Sequence, residues 1–367
     1  MKAIALQPGT KNVSFTDWAE PQIQKDTEIK AKILFVGICG TDREEAMGGR
    51  AGAPSGENKL VIGHEMLGRV TEVGKKVTKV KVGDPVVFTV RRGCNTCSAC
   101  KAFRSDYCYT GNYTERGIKG AHGFQSTFVV DDEMYAVKVP ATLGDAAVLA
   151  EPMSVVQKAI EEAILIQSRR MPWMTNPLEC FKDKTVCIAG LGPIGLLAAI
   201  VLRLKGAHVI GLDRAPSDGT RARLLKAIGG TYVNDKTFDD AAFKASHPDI
   251  RLIVDAAGVA KFDFDLISLL GVNGILVLTG VPGEQPLLPV NGAQLMRQLV
   301  LCNQVIVGSV NESIDHFKQG LKDLESASKQ WPGVIEQLIT HRFPAPDFAK
   351  AFDKHGPDEI KAVIEWK

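Results

Sequence analysis

The chain has 367 residues, 45% of them hydrophobic and 23% charged, with a formal net charge of +2 at pH 7. A chain of this length exceeds what one hydrophobic core usually organises, so we expect two domains, and the near-neutral charge gives no electrostatic reason to expect a nucleic acid or an anionic membrane as a partner. The longest apolar run, at residues 194–202, is too short to span a bilayer and is followed by basic residues, so we expect a cytoplasmic protein.

The first third of the sequence is rich in β-branched residues and is punctuated by glycine. Residues 27–36 alternate between polar and apolar before turning fully apolar, and residues 68–88 contain two strand-like stretches broken by glycines. Short strands with turn signals and no long helical pattern favour a compact β-rich barrel. A helical pattern begins only at residues 151–169, and the two prolines of residues 171–177 then mark a boundary loop.

From residue 185 onward the pattern changes to short apolar strands with helical stretches between several of them. Such an alternation is what a doubly wound parallel sheet requires. From Asn311 onward the sequence no longer alternates in this way, and we expect residues 363–366 to form a final strand that returns to the first domain. The predicted strands of the parallel sheet are residues 185–189, 208–212, 231–233, 252–254, 275–279 and 305–308.

A glycine-rich motif, G-L-G-P-I-G at residues 190–195, joins the apolar strand V-C-I-A to an apolar helix. Its glycines permit a tight turn and let the backbone approach a pyrophosphate, whose charge the helix N-terminus can bind. Asp213 ends the next apolar strand, 18 residues beyond Gly195. A carboxylate there can bind the adenosine ribose and repel the 2′-phosphate of NADP, whereas Arg214 favours that phosphate. We therefore predict NAD as the preferred cofactor, with NADP as an alternative, although Asp213 could simply end its strand.

The ends of later strands belong to the same site, because ligands of such sheets bind beyond the carboxyl ends of the strands. Thr279 and Asn311 are the two side chains there that we expect near the nicotinamide, although glycine-rich turns at strand ends are also common without a ligand. The predicted cofactor-binding residues are Gly190, Gly192, Pro193, Ile194, Gly195, Asp213, Arg214, Thr279 and Asn311.

Four cysteines lie within fifteen residues in the spacing C-x2-C-x2-C-x7-C, namely Cys94, Cys97, Cys100 and Cys108. Thiolates at such spacing can close around one tetrahedral zinc, which leaves no open position for chemistry, so we predict a structural zinc. Two disulfides are the first alternative, but they suit small secreted domains, and residues 1–9 lack the charged-then-apolar pattern of a leader. A zinc ribbon that binds nucleic acid is the second alternative, but it needs a strongly basic face, and the net charge is only +2.

A second set of residues that can bind a metal is spread over a longer stretch of the sequence. Cys39 lies in G-I-C-G-T-D, His64 and Glu65 lie in G-H-E, and Glu151 lies in E-P-M. Alone, each has an ordinary explanation, since a free cysteine is usually a small buried hydrophobe and a histidine can be a satisfied core residue. Together with a nicotinamide site they form a mixed sulfur, nitrogen and oxygen set that suits a catalytic zinc with an open position. We therefore predict a catalytic zinc among these four residues.

These motifs and their order, over nearly the full length, resemble the zinc-dependent medium-chain alcohol dehydrogenases. The resemblance implies an α/β protein with a GroES-like β-rich catalytic domain at residues 1–183 and 309–367. It also implies a Rossmann domain at residues 184–308, an active site in the cleft between the domains, and a homo-oligomer, either a dimer or a tetramer. A glutamate at position 151, where many members carry a cysteine, resembles the polyol and sugar dehydrogenases.

A finer resemblance is to the glucose 1-dehydrogenase branch of this family. It rests on R-R-G-C-N-T-C-S-A-C, E-R-G-I-K-G-A-H-G-F, E-P-M followed by a helix with two glutamates, the insertion near Trp173, and V-G-S-V-N. It implies oxidation of the C1 hydroxyl of an aldopyranose to a lactone, assisted by zinc, with hydride transfer to NAD(P). It also implies Cys39, His64 and Glu151 as zinc ligands, with the carboxylate next to His64 able to exchange onto the metal.

The same resemblance places Thr41, Glu115 and Asn311 against the sugar, with Thr41 as the residue that relays the hydroxyl proton. A sugar needs several fixed polar partners, and His122 is a further candidate, although it could be an ordinary loop residue. Val155 stands where some relatives carry an aspartate, which leaves the aldose open. Two alternatives remain: a zinc-dependent polyol, threonine or secondary-alcohol dehydrogenase, and a non-catalytic nucleotide-sensing or nucleic-acid-binding protein. The predicted substrate contacts are Thr41, Glu115, His122, Glu151 and Asn311.

Overall fold

The computed structural model describes residues 1–234, 236, 239–283 and 287–366. The chain forms two compact units. Unit 1 consists of Met1–Ser154, Asn311–Lys329 and Ile335–Lys367, and unit 2 consists of Val155–Val310 and Gln330–Val334. The chain therefore builds most of unit 1, then unit 2, and returns to unit 1 near its end. The domain boundaries given above from the resemblance stay predictions.

The described residues contain nineteen β-strands, most of them short. In chain order they are β1 (Lys2–Leu6), β2 (Val13–Asp17), β3 (Glu28–Ile38), β4 (Leu60–Val61), β5 (Glu65–Val73), β6 (Pro85–Phe88), β7 (Arg91–Arg92), β8 (Thr114–Arg116), β9 (Gly120–Ala121), β10 (Phe128–Asp132), β11 (Ala136–Lys138), β12 (Thr185–Ala189), β13 (His208–Asp213), β14 (Thr231–Asn234), β15 (Ile250–Asp255), β16 (Ile275–Leu278), β17 (Val305–Gly308), β18 (Ile339–Pro344) and β19 (Lys361–Glu365). Strands β12 to β17 lie in unit 2, and the others lie in unit 1.

Ten α-helices connect these strands in the part of the chain that the structure describes. They are α1 (Gly40–Ala46), α2 (Ser98–Lys101), α3 (Ala150–Arg170), α4 (Pro193–Leu204), α5 (Thr220–Ala227), α6 (Asp240–Ser246), α7 (Ala260–Leu269), α8 (Gly292–Leu301), α9 (Ile314–Gln330) and α10 (Phe348–Phe352). None of the described helices combines the length and the apolar character needed to cross a membrane.

The central strand of unit 1 is β3, which pairs with β5, β19 and β10 in a seven-stranded sheet. Its sequence, EIKAKILFVGI, becomes fully apolar toward its end, where the strand is buried. β19 pairs antiparallel with β3, and Ala362 lies opposite Ile38. This pairing confirms the predicted return of the chain end to the first domain, and it brings residues near position 361 next to those near position 38.

Unit 2 contains a six-stranded parallel sheet in the order β14-β13-β12-β15-β16-β17. This is the strand order of doubly wound dinucleotide-binding sheets, in which ligands bind where the order reverses, beyond the carboxyl ends of the strands. Here the reversal falls between β12 and β15. The six strands predicted from residue 185 onward are all confirmed, with ends that differ from the prediction by two residues or fewer.

Candidate catalytic metal centre and dinucleotide site

Cys39 lies at the junction of β3 and α1, where it is the N-cap residue of the helix. Its Sγ accepts a hydrogen bond from the Thr41 N–H at 3.1 Å, and its own N–H donates to Asp42 Oδ2 at 2.8 Å. This reciprocal arrangement is a capping box in which sulfur replaces the usual hydroxyl. The motif G-I-C-G-T-D therefore holds the thiol in a fixed direction at the end of the central strand.

His64 and Glu65 lie beside Cys39 because β5 pairs with β3, and Glu65 is opposite Gly37 in this pairing. His64 Nε2 lies 3.1 Å from Cys39 Sγ. One ligand atom from each of Cys39, His64 and Glu65 lies within 4.8 Å of the other two, and both His64 and Glu65 are buried. Sulfur, imidazole nitrogen and carboxylate oxygen at such separations form a donor set that fits zinc.

A lysine that the sequence did not single out neutralises Glu65. Lys361 Nζ, from β19, lies 2.7 Å from both carboxylate oxygens of Glu65, and both side chains are 2% exposed. Gly37 makes room for the same carboxylate, since a Cβ at this position would lie 2.0 Å from Glu65 Oε2. Lys361 and Glu65 are 296 residues apart in sequence, so only the fold identifies the pair.

Asp42 is the buried carboxylate that faces the second ring nitrogen of His64. Asp42 Oδ1 lies 3.5 Å from His64 Nδ1, and neither atom makes a hydrogen bond among the described residues. A metal-bound imidazole usually directs its free N–H toward a carboxylate, which fixes the ring and raises its basicity. Asp42 therefore suits this orienting role, for which the sequence had supplied no candidate.

Glu151 lies in the first turn of α3 and outside the group of three ligand atoms described above. Burial raises the pKa of Glu151 to about 7; a protonated His64 opposes this shift, and the Glu65 carboxylate adds to it. Glu151 is therefore close enough to His64 and Glu65 to interact with them electrostatically. Of the four predicted ligands, Cys39, His64 and Glu65 have ligand atoms within 4.8 Å of one another. Glu151 lies near this group but is not part of it.

A second buried carboxyl group, Glu312, interacts with the same residues. It is 2% exposed, and its Oε1 has no hydrogen-bond partner among the described residues. Burial raises the pKa of Glu312 well above its usual range, and the Glu151 carboxylate acts in the same direction. Sequence reasoning missed Glu312, because only its neighbour Asn311 belongs to the motif V-G-S-V-N.

Two of the predicted sugar contacts, Glu115 and Asn311, lie together although 196 residues separate them. Asn311 Nδ2 donates to Glu115 Oε1 at 2.7 Å, and Arg91 donates to the same oxygen through Nε at 3.1 Å and Nη2 at 2.9 Å. Asn311 has a φ of 63°, in the left-handed region that asparagine tolerates better than most residues. The structure thus forms a polar cluster from three distant segments of unit 1.

Two further predicted sugar contacts, Thr41 and His122, have different surroundings. Thr41 Oγ1 accepts a hydrogen bond from Arg50 Nη2 at 3.1 Å. His122 Nδ1 accepts from the Val61 N–H at 3.2 Å, and its Nε2 lies 2.9 Å from Glu57 Oε2. Both ring nitrogens of His122 are therefore engaged. Its role as a sugar contact stays a prediction that requires one of these contacts to open.

The four cysteines of the C-x2-C-x2-C-x7-C motif converge in a segment that we call the cysteine lobe, residues 94–108. All four sulfurs lie within 4.8 Å of one another, with Cys94 and Cys100 3.7 Å apart. A tetrahedron with zinc–sulfur bonds of ~2.3 Å has edges of about 3.8 Å, so the spacing fits zinc. Hydrogen bonds from Thr110 and Thr96 lower the pKa of Cys94 to about 4, which favours the thiolate that zinc binds.

The G-L-G-P-I-G motif forms the predicted turn between β12 and α4. Gly190 has a φ of 85°, and Gly192 is the N-cap of α4, with Pro193 at the first helical position. A Cβ on Gly195 would lie 1.8 Å from the Gly190 carbonyl oxygen, so the helix can approach the strand only with glycine at position 195. Pro193 and Ile194 are half-buried at the helix N-terminus, where a pyrophosphate would bind.

Asp213 ends β13 with its carboxylate directed at the glycine-rich turn. Its Oδ2 accepts from the Leu191 N–H at 2.6 Å, and its Oδ1 accepts from the Ala215 N–H at 2.7 Å. Arg221 Nη1 lies 3.2 Å from Oδ2. Arg214, the next residue, is exposed. Asp213 therefore fixes the conformation of the turn that would hold the cofactor, in addition to placing a negative charge beside it.

Thr279 directly follows β16, and its hydroxyl donates to the Asp255 carbonyl oxygen at 2.6 Å. Asp255, at the end of β15, is buried, its Oδ2 has no hydrogen-bond partner among the described residues, and its charge acts on the carboxyl group of Asp263 on α7. Two neighbouring buried carboxyl groups disfavour a state in which both are ionised. Burial, followed by the charge of Asp255, raises the pKa of Asp263 to about 6. The parallel strands place Thr279 and Asp255 at the same sheet edge as the glycine-rich turn.

Two family profiles together cover most of the chain. The profile for the alcohol dehydrogenase GroES-like domain matches residues 25–141, and the profile for the glucose dehydrogenase C-terminus matches residues 144–366. The chain belongs to the glucose dehydrogenase branch of the zinc-dependent medium-chain dehydrogenases. This confirms the predicted fold class, a GroES-like β-rich domain combined with a Rossmann domain, and it identifies the protein as an NAD(P)-dependent dehydrogenase.

Relatives of this dehydrogenase match it over its full length. Glucose 1-dehydrogenase from Methanocella arvoryzae is 35% identical, and glucose 1-dehydrogenase 2 from Vulcanisaeta moutnovskia is 37% identical, each match covering 100% of this chain and 99% of the relative. Haloferax mediterranei glucose dehydrogenase in complex with NADP, Zn and gluconolactone is 30% identical, with a TM-score of 0.87 over 100% of this chain and 99% of that chain. Galactitol-1-phosphate dehydrogenase from Escherichia coli, 21% identical with a TM-score of 0.81, shares the fold.

Proposed function

We propose that this dehydrogenase oxidises the C1 hydroxyl of an aldopyranose, with glucose as the leading substrate, to the corresponding lactone. The C1 hydride passes to NAD(P), and the hydroxyl proton leaves through the protein. The observation that carries the proposal is the full-length similarity to a glucose dehydrogenase whose structure holds NADP, Zn and gluconolactone. The group of Cys39, His64 and Glu65 in this chain supports it, because the donor set is one that suits a catalytic zinc.

Cys39 and His64 are the two zinc ligands that we assign to the catalytic centre, with a carboxylate as the third. We assign the carboxylate to Glu151, because Lys361 already contacts both oxygens of Glu65, which then remains available for exchange. Three protein ligands leave one position open for a sugar oxygen. When bound there, zinc supplies a Lewis acid that makes the C1 alkoxide accessible near neutral pH.

The remaining residues hold the sugar and move its proton. The contact from Arg50 fixes the Thr41 hydroxyl, two residues from Cys39, which we assign to relay the C1 hydroxyl proton. Asn311 contacts Oε1 of Glu115, so we assign Oε2 of Glu115 to a sugar hydroxyl. A carboxylate and an amide side by side provide an acceptor and a donor for neighbouring hydroxyl groups.

We assign a second, structural zinc to the cysteine lobe. The 3.7 Å separation of the Cys94 and Cys100 sulfurs supports this assignment, since it is close to the edge of a zinc–thiolate tetrahedron. All four cysteines of the lobe are free rather than joined in disulfides. Four protein ligands leave no position for substrate, so the lobe zinc takes no direct part in the reaction.

We propose NAD as the preferred cofactor of this enzyme, with NADP as a second substrate. Asp213 supports NAD, because its buried carboxylate lies next to the turn that receives the adenosine half and would repel a 2′-phosphate. The exposed Arg214 supports some use of NADP, because a guanidinium binds phosphate well. The balance between the two side chains sets the preference.

We propose that the enzyme is a homo-oligomer, either a dimer or a tetramer. Strand β17 is an edge strand of the unit 2 sheet, and α8, the helix that precedes it in sequence, has no buried residues. Three apolar side chains of this helix are strongly exposed: Met296 58%, Val300 75% and Leu301 64%. An exposed apolar helix next to an edge strand supports contact with a second copy. The cytoplasm stays the predicted compartment.

Formation of reduced cofactor tests the proposed function. The zinc-loaded enzyme is incubated with NAD or NADP and with aldoses, polyols and simple secondary alcohols in turn. We expect turnover with aldoses, at a higher kcat/KM than with any polyol or simple alcohol. Turnover with polyols or secondary alcohols but with no aldose would favour the alternative substrate class. Zinc analysis of Glu151→Gln and Glu65→Gln then compares the two carboxylates, and we expect the larger loss from Glu151→Gln.

A further inference from the structure

Arg91 is a buried arginine that has no direct role in the proposed reaction. It lies on β7 opposite Glu115 on β8 and is 7% exposed. Its Nε and Nη2 donate to Glu115 Oε1 at 3.1 and 2.9 Å. Residues that lie opposite each other in paired strands face the same side of the sheet, so the strand pairing itself produces this contact. Arg91 thus holds one of the proposed sugar-binding carboxylates.

The remaining nitrogen of the same guanidinium is tied to the cysteine lobe. Arg91 Nη1 donates to the carbonyl oxygens of Ser105 at 3.4 Å and Asp106 at 3.2 Å, just before Cys108. The ring of Tyr113 stacks on the guanidinium, with 3.8 Å between the ring centroid and Cζ. All three guanidinium nitrogens therefore donate hydrogen bonds. A lysine ammonium, which is a compact point charge, cannot donate in the same planar arrangement.

We propose that Arg91 is a positioning residue for sugar recognition. It fixes Glu115 and, through the shared Oε1 atom, Asn311, and it anchors both to the backbone of the cysteine lobe. Because Arg91 has no contact with the reacting atoms in this arrangement, its loss weakens sugar binding far more than it slows hydride transfer. The inference rests on the proposed function, in which Glu115 and Asn311 contact the sugar.

The adjacent Arg92 provides a matched control. It lies on the same two-residue strand and also stacks on a tyrosine, with 3.8 Å between its Cζ and the Tyr135 ring centroid. It donates to Asp131 Oδ2 at 2.5 Å and to the Thr89 carbonyl oxygen at 2.8 Å. Successive residues of a strand point to opposite faces, so Arg92 has similar chemistry directed away from Glu115.

Steady-state kinetics of Arg91→Lys and Arg92→Lys test the proposal on the zinc-loaded, full-length enzyme with D-glucose and NAD. For Arg91→Lys we expect the KM for glucose to rise about tenfold, with kcat changed less than about threefold and the KM for NAD unchanged. For Arg92→Lys we expect a KM for glucose within about twofold of the unchanged enzyme. Calorimetric binding of D-glucose to the zinc-loaded enzyme without cofactor is expected to weaken by the same factor as KM.

Tyr113→Leu keeps the test decisive if Arg91→Lys does not fold. It removes the ring stacked on the guanidinium and leaves the hydrogen bonds of Arg91 in place, so it should disturb the position of the guanidinium less than Arg91→Lys does. We expect about threefold weaker binding of glucose, in the direction expected for Arg91→Lys. Unchanged glucose binding in a folded Tyr113→Leu enzyme would count against the positioning role.

Two results would overturn the positioning role of Arg91. One is a fall in kcat with an unchanged KM for glucose, and the other is an equal rise in this KM for Arg91→Lys and Arg92→Lys. A failure of the proposed function looks different, because the unchanged enzyme would then turn over no aldose. Comparison of the unchanged enzyme with the variants therefore separates the two failures.

Discussion

The thiol of Cys39 and the imidazole of His64 meet at 3.1 Å because two neighbouring strands bring their motifs together. These residues could be predicted from the sequence, since each motif carries a ligand type next to a strand. Lys361 could not, because nothing in its local sequence marks it and its contact with Glu65 spans 296 residues. Asp42 lies in the same motif as Cys39, yet its orientation toward the histidine ring is visible only in the fold.

Replacement of Lys361 by methionine tests the buried ion pair with Glu65. The change leaves the Glu65 carboxylate buried without the cation that contacts both its oxygens. Removal of one partner of a buried pair costs about 3 kcal/mol, and we expect the free energy of unfolding to fall by that amount. Urea denaturation of the zinc-free protein measures it. The double variant Lys361→Met/Glu65→Gln should recover part of the lost free energy of unfolding. A Lys361→Met protein as stable as the unchanged protein would contradict a stabilising role of the pair.

Asp213→Asn tests the cofactor preference without removing the side chain from the glycine-rich turn. Asparagine keeps one oxygen that can accept from the Leu191 N–H, and it gives up the second bond, from the Ala215 N–H. We expect the ratio of kcat/KM for NAD to that for NADP to shift about tenfold toward NADP, because the repulsive charge is gone. Asp218→Asn, at an exposed position of the same loop, should leave the ratio within about twofold. An unchanged ratio in Asp213→Asn would exclude a role in cofactor choice.

At the scale of elements, the apolar strands of the parallel sheet were predictable because a buried strand is a short apolar run that ends at glycine or a polar residue. The two-residue strand β7 was not predictable, since its pairing with β8 depends on tertiary context rather than on local pattern. The 3-10 segment Ala141–Leu149 was also missed. It contains Gly144 at a φ of 49°, where two helical stretches meet in a bend that no apolar periodicity marks.

The carboxyl pair between β15 and α7 predicts a pH dependence of stability. The pKa of Asp263 is raised to about 6, so the folded protein binds more protons than the unfolded protein between about pH 4 and pH 6. Stability from this group is present below the unfolded pKa and is lost as the pH rises through about 6. We expect Asp263→Asn to gain stability relative to the unchanged protein between pH 5 and pH 7, as measured by thermal unfolding.

Asp265→Asn is the matched control for this pH dependence. Asp265 lies on the same helix and pairs with Lys261 at 2.8 Å, with its side chain 42% exposed. We expect its pH profile to follow that of the unchanged protein, because solvent screens an exposed pair. Parallel profiles for Asp263→Asn and the unchanged protein would show that burial and the charge of Asp255 do not raise the pKa of Asp263.

The cysteine lobe predicts a separable zinc. Cys97→Ser removes one of four ligands, so we expect metal analysis to show loss of one zinc and retention of the other. Because Arg91 is anchored on lobe carbonyl oxygens, we also expect the KM for glucose to rise. Cys302→Ser, at a half-buried cysteine outside both metal groups, should retain both zincs. Loss of both zincs in Cys97→Ser would contradict two independent sites.

At the scale of the whole molecule, the order of the two units along the chain followed from motif order, because the resemblance fixed which motif belongs to which domain. The polar cluster of Arg91, Glu115 and Asn311 did not follow, since its members come from β7, β8 and the segment before α9. Contacts between such distant segments arise only when unit 1 closes around its returning chain. The candidate ligands could therefore be predicted, and the network that holds the proposed sugar contacts could not.

The most direct test of C1 oxidation at the proposed zinc centre compares D-glucose with 1,5-anhydro-D-glucitol, which lacks only the C1 hydroxyl. Formation of reduced cofactor is measured with the zinc-loaded enzyme and NAD. We predict reduction of NAD and formation of gluconolactone with glucose, none with the anhydro sugar, and none with glucose in Cys39→Ser that retains the lobe zinc. Reduction of NAD with 1,5-anhydro-D-glucitol, or no reduction with D-glucose, would contradict C1 oxidation at this site.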